Sequence, residues 1–226
     1  MYVVPVIGRI VNIPSKLTLV WEWPLRLWHW AVAISVTVAL LTGLVPQLDY
    51  FSIHRIAGIS VVALIVFRLL WGVFGGTYAR FKNYWTTPKA FIHHFTGKAE
   101  PRAHTSPSVL LTLAVLLTLT LQSVAGLFTS DDVFYEGPLV QFAEDEIVET
   151  ATDLHHQVWK FILALIAIHL SAHIVYLCFL RSRIPLSMFT GRKFTEDPDT
   201  TWSVWGATIA FAVAVAVFLI LLYYSR

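Results

Sequence analysis

Residues 155–180 read HHQVWKFILALIAIHLSAHIVYLCFL, an apolar stretch that carries His155, His169 and His173. In an α-helix, the fourteen residues from His155 to His169 place both imidazoles on nearly the same face, about 21 Å apart along the axis. Neutral imidazole is the commonest metal ligand among side chains. The spacing therefore predicts two metal centres, stacked along one membrane-spanning helix.

The composition is typical of a membrane protein. Of the 226 residues, 57% are hydrophobic and 13% are charged, which is too apolar for one soluble core. Five runs are long enough to cross about 30 Å of hydrocarbon. We predict an all-α integral membrane protein with a four-helix transmembrane bundle in residues 1–202 and one additional transmembrane helix in 203–226. The predicted spans are 27–48, 54–74, 108–128, 155–180 and 203–224.

The single cysteine, Cys178, excludes an intrachain disulfide and a Cys-x-x-Cys-His motif for covalent haem attachment. The first sixteen residues lack a basic region and a small-residue cleavage site, and Pro5 and Pro14 divide them into pieces too short to span. We therefore expect no cleaved signal peptide.

The charges of the connections alternate along the chain. Basic residues concentrate before the first span, between the second and third, and between the fourth and fifth, which predicts that these segments are cytoplasmic. The N-terminus then lies in the cytoplasm and the C-terminus on the opposite side of the membrane. The basic residues are Arg9, Lys16, Arg26, Arg80, Lys82, Lys89, Lys98, Arg102, Arg181, Arg183, Arg192 and Lys193.

The loop 129–154, on the opposite side, is acidic and contains no Lys or Arg. Eight carboxylates in so short a loop favour docking of a basic soluble partner by electrostatic steering, although a plain solvated loop explains them equally well. The acidic residues on this side are Asp49, and in the loop Asp131, Asp132, Glu136, Glu144, Asp145, Glu146, Glu149 and Asp153.

Two shorter stretches are amphipathic. Residues 88–97, PKAFIHHFTG, begin with a proline and end with a glycine, which predicts a surface helix at the inner interface. On the outer side, Leu139, Phe142, Ala143 and Ile147 recur at helical spacing and predict a second interfacial helix.

This topology gives each histidine a depth in the membrane. His54 opens the second span and His155 opens the fourth, both at the outer face, and we call them the outer pair. His29 lies near the cytoplasmic start of the first span, level with His169, and these two form the inner pair. Helical bundles build cofactor sites from inward-facing side chains, and two imidazoles at one depth are what bis-histidine ligation of a b-type haem requires. Alternatively, each histidine is only hydrogen-bonded within the bundle.

Other histidines compete for these roles. His173 lies one turn beyond His169 on nearly the same face, so it is a rival inner ligand. His93, His94 and His104 fall in the inner connection, where solvated side chains are the default and contact with quinone or a partner is the alternative.

Several arginines and glycines accompany the histidines. Arg26, Arg55 and Arg68 are placed either to pair with haem propionates or to extend their charged ends to the interface. Gly58 lies one turn after His54, and Gly43 and Gly126 also lie within spans. They either admit a flat macrocycle or allow close helix packing.

Four motifs together resemble the bacterial cytochrome b561 family, which includes the b-type cytochrome subunits of nickel-iron hydrogenases. They are VWEWPLRLWHW at 20–30, HRIAGISVVALIVFRLLWG at 54–72, LHHQVWKFILALIAIHLSAH at 154–173 and MFTGRK at 188–193. The resemblance covers roughly residues 20–194.

The resemblance implies a four-helix core that binds two non-covalent b haems between its first, second and fourth helices. It also implies electron transfer between the quinone pool and a periplasmic cytochrome c, dehydrogenase or hydrogenase. By motif, the ligands are His29, His54, His155 and His169. The last span, which has no histidine, departs from the family pattern and suggests a helix that contacts a partner subunit.

Two other functions remain open at this stage. The chain could be a stand-alone quinone oxidoreductase linked to superoxide, or a transporter or structural anchor whose histidines relay protons or bind a metal ion. The sequence identifies no catalytic residue.

Overall fold

The structure, a computed structural model, describes residues 2–6, 9–13, 16–45, 50–96, 103–133, 135–195 and 197–225. Several sequence predictions fall outside these ranges: the end of the first span at 46–48, and the charges of Asp49, Lys98, Glu100 and Arg102. Within the described part, five helices are long and apolar enough to cross a membrane. They confirm the all-α membrane class.

The five long helices follow the predicted spans closely, except for the fourth. In chain order they are α1 (Trp23–Leu44), α2 (Phe51–Phe74), α4 (Ser106–Leu127), α5 (Asp145–Ile174) and α7 (Val204–Tyr224). Two short helices, α3 (Pro88–Phe95) and α6 (Ser187–Thr190), lie between them. A π-helical turn, Val175–Phe179, extends α5.

Proline and threonine fit these helices for identifiable reasons. Pro24, Pro88 and Pro107 each lie in the first turn of a helix, where the missing N–H has no intrahelical partner anyway. Several threonine hydroxyls inside the spans donate to carbonyls three or four residues earlier, as Thr37 does to Ala33, which satisfies these donors within their own helix.

Two outer-side predictions are wrong. The fourth helix begins at Asp145 rather than His155, and the predicted interfacial helix around 139–147 is only a 3₁₀ turn, Val140–Phe142, followed by α5. Asp145 and Glu146 occupy the first turn of α5, where negative charge stabilises the helix dipole. Hydropathy misses this extension because its residues are polar. The helix predicted within 88–97 is confirmed as α3, which Thr87 caps by accepting from the Ala90 N–H at 3.2 Å, and its place at the inner interface stays a prediction.

The strands are short and were not predicted. Strands β1 (Tyr2–Val6) and β2 (Arg9–Ile13) form an antiparallel hairpin. Strand β3 (Leu17–Leu19) pairs antiparallel with β4 (Arg192–Phe194), with Leu17 opposite Phe194 and Leu19 opposite Arg192. The second pairing joins the segment before α1 to the MFTGRK motif.

The residues group into two compact units, and each long helix contributes a segment to both. The first unit comprises Met1–Leu27, Trp71–Ala114 and Leu165–Gly206; the second comprises Trp28–Leu70, Val115–Ala164 and Ala207–Arg226. In the first unit, Val20, Tyr78 and Ala103 form a buried cluster with Trp21 packed against it. The separation of residues 1–202 from 203–226 by function stays a prediction.

Candidate metal centre

His54 lies in the first turn of α2, where its ring is held by the backbone of α1. Its Nδ1 is 2.9 Å from the Ala39 carbonyl oxygen and 3.3 Å from the Thr42 hydroxyl. The ring covers Gly43 so closely that a Cβ at that position would be 2.9 Å from His54 Cε1. A neutral imidazole that donates from Nδ1 to a carbonyl has its lone pair on Nε2, the atom that can bind a metal.

His155, on α5, is held by α4 in the same way. Its Nδ1 is 3.0 Å from the Gln122 carbonyl oxygen, and the Gln122 side-chain amide lies 3.0 Å from the His155 carbonyl oxygen. A Cβ at Gly126 would be 2.8 Å from His155 Cε1. With Nδ1 donating to the Gln122 carbonyl oxygen, Nε2 of His155 also carries the lone pair that can bind a metal.

Both histidines use one local pattern, which we call the glycine cradle: a glycine and the carbonyl four residues before it. The pattern is formed by Ala39 with Gly43 and by Gln122 with Gly126. In an α-helix the carbonyl of residue i points toward the N–H of residue i+4. A side chain at i+4 obstructs the approach to that carbonyl, whereas glycine leaves it open for an imidazole N–H to use the second lone pair.

The rings of the two cradled imidazoles lie close together. The ring centroids of His54 and His155 are 6.1 Å apart, and their planes are at 89°. Two imidazoles that bind one metal ion from opposite sides have ring centres about 6 Å apart, because each metal–nitrogen bond is about 2 Å long. The outer pair thus supplies two nitrogen donors and suits a metal ion that brings further donors of its own.

Gly58, one turn after His54 on α2, borders open space. A Cβ at Gly58 would have no described atom within 4 Å. Close helix packing, one of the two explanations that the sequence left open, therefore does not account for this glycine. The space beside it can receive a group other than the protein.

Arg55 is partly engaged by the protein itself. Its Nη1 donates to the Ser225 carbonyl oxygen, and its guanidinium carbon lies 5.9 Å from the centroid of the Phe51 ring. Its Nε is buried and has no hydrogen-bond acceptor among the described residues. Arg55 therefore keeps one donor for another acceptor, such as a carboxylate.

Arg68 and Arg26 also have protein contacts. Arg68 is 1% exposed, and its guanidinium carbon lies 5.6 Å from the centroid of the Trp28 ring, a cation–π distance. Arg26 donates from Nη1 to the Phe189 carbonyl oxygen at 2.5 Å. The pairing of these arginines with propionates stays a prediction.

The inner histidines have different surroundings. His29 belongs to the second unit, where its ring packs edge-on against Trp30 with centroids 5.1 Å apart. His169 belongs to the first unit, where its ring centroid lies 4.3 Å from that of His173. Both His169 and His173 are half-buried. The contact between them does not select one as the ligand, so both the inner pairing and the rivalry stay predictions.

The expectation that His94 and His104 are solvated is wrong, since both are half-buried and hydrogen-bonded. His94 Nε2 lies 3.1 Å from the Tyr176 hydroxyl, and His104 Nε2 lies 2.6 Å from the Tyr78 carbonyl oxygen. Burial, aided by the charge of Lys193, lowers the pKa of His94.

Burial and neighbouring charges shift the pKa values of Lys193 and Tyr78 near His104. Lys193 donates to the Ala103 carbonyl at 3.2 Å, and burial lowers the pKa of this lysine to about 8 although Asp197 opposes the change. Burial, together with the charges of Asp197 and Asp199, raises the pKa of Tyr78.

The acidic loop 129–154 presents all eight of its carboxylate side chains to solvent; residue 134 lies outside the described chain. Some of these groups also have local roles. The Asp131 carboxylate accepts from the N–H groups of Val133 at 3.1 Å and Tyr135 at 2.7 Å, while Asp145 and Glu146 begin α5. The other carboxylates of the loop are exposed.

Sequence reasoning missed the groups that hold the imidazoles. Gln122 and the carbonyl of Ala39 were not candidates, and Gly43 and Gly126 were noted only for their small size. A usable signal was present: Gln122 and Gly126 are four residues apart, and an amide side chain within an apolar span needs a polar partner.

Residues 20–191 match the family described as prokaryotic cytochrome b561. The matched range contains all four predicted ligands, both glycine cradles and the first four residues of the MFTGRK motif, and it ends before α7 begins. No curated protein matches the chain.

Proposed function

The chain belongs to the prokaryotic cytochrome b561 family, and from this premise we propose that it carries electrons across the bacterial inner membrane through two b haems, each bound by two histidines. Membership makes it a multi-pass membrane protein that binds haem b and transfers electrons. The number of haems, their ligands and the redox partners belong to the proposal.

The outer pair carries the proposal. The centroid separation of 6.1 Å between His54 and His155 agrees with two imidazoles on one iron, and the porphyrin nitrogens are the further donors that such a pair requires. The open space beside Gly58 is compatible with a flat macrocycle. The residues present therefore fit the group: His54 and His155 would bind its iron, and Arg55 Nε would be a candidate donor to a propionate.

For the inner haem we propose His29 and His169 as ligands. Support comes from the fourteen-residue spacing to His155 in one continuous helix and from the family motif RLWHW, which contains His29. His173 is the alternative to His169. Arg26 and Arg68 are the basic residues that we assign to the propionates of this haem.

When bound, haem b supplies reversible one-electron chemistry at its iron, with a potential set by axial ligands and nearby hydrogen bonds. The chain's own contribution is to orient the ligands and choose their tautomer. Donation from Nδ1 to the carbonyls of Ala39 and Gln122 fixes each ring and raises the basicity of Nε2. Such hydrogen bonds stabilise the more positively charged, oxidised form of a ligated metal.

We place the outer pair near the periplasm and the inner pair near the cytoplasm, because the basic connections are expected to be cytoplasmic. Electrons then pass between the quinone pool and a periplasmic cytochrome c, dehydrogenase or hydrogenase. The acidic loop 129–154 is exposed and suits a partner with a basic docking face. Opposite charges there raise the association rate and make it sensitive to ionic strength.

The test measures the haem content by spectroscopy and then supplies a quinol as electron donor. Purified protein is assayed by the pyridine haemochrome method and then mixed with a soluble quinol under anaerobic conditions. We expect two b haems per chain and their reduction by the quinol. A protein with no b haem contradicts the cytochrome assignment, and a protein with one haem contradicts the two-pair assignment. If two haems are present but the quinol does not reduce them, the quinone role is contradicted.

The inner ligand is decided by His169→Ala and His173→Ala, compared with each other. We expect His169→Ala to remove one haem and His173→Ala to retain both. The opposite outcome assigns the iron to His173.

A further inference from the structure

Helix α7 lies beyond the family match, which ends at residue 191, and it has no histidine. Its last turns nevertheless pack on the helices that carry the outer pair. Leu221 is buried in one cluster with Ile59 of α2 and Leu127 of α4, and Val217 and Phe218 pack against the same cluster.

The contact between α7 and α2 is regular. Arg55 and Ile59 lie one turn apart on one face of α2, while Leu221 and Ser225 are four residues apart near the end of α7. Arg55 donates to the Ser225 carbonyl, and Ile59 packs with Leu221. Residue numbers therefore rise along α2 as they fall along α7, as in an antiparallel helix pair held by two successive turns.

These contacts adjoin the residues of the cradle in the sequence. Arg55 follows His54, and Leu127 follows Gly126. Successive helical residues point about 100° apart, so α2 presents His54 to α1 and Arg55 to α7. By the same rule, α4 presents Gly126 to His155 and Leu127 to α7. Helix α7 thus packs against α2 and α4 on faces other than those that contribute to the candidate metal centre.

The loop 129–154 also contacts α7 and α4. Phe142 packs edge-on against Tyr224 with ring centroids 5.3 Å apart, and Leu139 packs on the buried cluster of Leu221. The Leu139 N–H donates to the Leu127 carbonyl at 2.9 Å. Loop, α4 and α7 are therefore linked on the side away from the imidazoles.

We propose that α7 is a positioning element for the outer haem, acting through Arg55, Ile59 and Leu127 to hold His54 against its cradle and Gly126 against His155. Leu221 and the last turn of α7 are positioning residues, because they act through the ligands and the cradle. The inference rests on the proposed function, in which His54 and His155 bind the outer haem.

The experiment compares Leu221→Ala with Leu219→Ala in the full-length holoprotein. Both remove the same atoms from α7, but Leu221 is 7% exposed in the cluster and Leu219 is 57% exposed. The outer haem is defined as the one lost in His54→Ala. We measure its low-temperature electron paramagnetic resonance, its midpoint potential and its rate of transfer to apomyoglobin.

Leu221→Ala is expected to change the resonance of the outer haem and to speed its loss by about tenfold, as for groups that support a metal ligand, while Leu219→Ala leaves both unchanged. If Leu221→Ala does not fold, the comparison is made with Leu221→Met.

The proposal is overturned if these variants lower only the melting temperature and leave the resonance, potential and retention of the outer haem unchanged. Failure of the proposed function gives a different result, because His54→Ala would then retain every haem found in the unmodified protein.

Discussion

The outer pair and the inner histidines use one residue type in similar apolar helices, yet they are held in different ways. His54 and His155 each lie over a glycine and bond to the carbonyl four residues before it. Of the glycines that the structure describes, none has His29, His169 or His173 against its Cβ position. The inner histidines lie instead beside an indole and beside each other.

The difference shows how a ligand pair is pre-organised by the backbone. A carbonyl within a helix cannot shift without disrupting the helix, so it fixes the imidazole more firmly than a flexible side chain does. The outer pair, which we propose to bind one iron, has a centroid separation that agrees with such binding. The predictions below alter the cradle or its surroundings and proceed from the largest expected effect to the smallest.

Gly126→Ala should weaken binding of the outer haem by about ten- to a hundredfold, as loss of a supporting group does at metal sites. The new methyl group would lie 2.8 Å from His155 Cε1, so the ring must leave the Gln122 carbonyl. Gly43→Ala should weaken binding of the outer haem in the same way, because its methyl group would displace the His54 ring. Haem-to-protein ratio and transfer to apomyoglobin measure the effect.

Gly206→Ala is the matched control, since its Cβ would meet its nearest atom at 3.4 Å, an ordinary contact. Equal haem retention in Gly126→Ala and Gly206→Ala would show that the cradle is not needed.

Gly58→Ala separates the protein from its cofactor. No described atom lies within 4 Å of the new methyl group, and alanine stabilises a helix relative to glycine by roughly 0.5–1 kcal/mol. We expect the haem-free protein to be no less stable in thermal unfolding, while haem affinity falls severalfold because the macrocycle needs this space. Unchanged affinity would place the macrocycle elsewhere.

Gln122→Leu should have a smaller effect, because the Gln122 carbonyl, which accepts from His155 Nδ1, remains in place. Only the amide contacts to the His155 ring and carbonyl are lost. We expect a shift in the midpoint potential of the outer haem with both haems retained. Gln157→Leu, at an exposed position of α5, is the control and should leave the potential unchanged.

The smallest effect concerns the first unit, where Lys193 has a pKa lowered to about 8 from 10.5 by burial. Between these two pH values the unfolded chain binds a proton that the folded chain has released, so stability rises with pH there. Lys193→Met removes this rise. Thermal unfolding from pH 7 to 10 should shift in favour of the unmodified protein above pH 8.

The exposed Lys89→Met is the reference for this comparison, because it removes the same charge from a solvated position. A parallel pH dependence in Lys193→Met and the unmodified protein would contradict the lowered pKa.

Much of the fold follows from hydropathy, because a lipid solvent imposes length and helicity on every span. The start of α5 could not be found in this way, since its first ten residues are mostly polar and are stabilised by Asp145 and Glu146 at the helix N-terminus. The strand pairing of Leu17–Leu19 with Arg192–Phe194 joins segments far apart in the chain and has no local signal.

Sequence reasoning brought two residues of the candidate site together but did not find the groups that hold them. Depth alone brought His54 and His155 together in the prediction, and their ring centroids are 6.1 Å apart in the structure. Their hydrogen-bond partners are backbone carbonyls, which every residue possesses and which therefore leave no trace in the residue types. The contact of Arg55 with Ser225 was missed for the same reason.

The most direct test of the outer pair is the number of haems per chain in the unmodified protein, His54→Ala, His155→Ala and the double variant, measured by pyridine haemochrome. Because both imidazoles are proposed to bind one iron, we predict two haems in the unmodified protein and one in each of the three variants. Two haems in the double variant, or a further loss when the two changes are combined, would contradict this assignment.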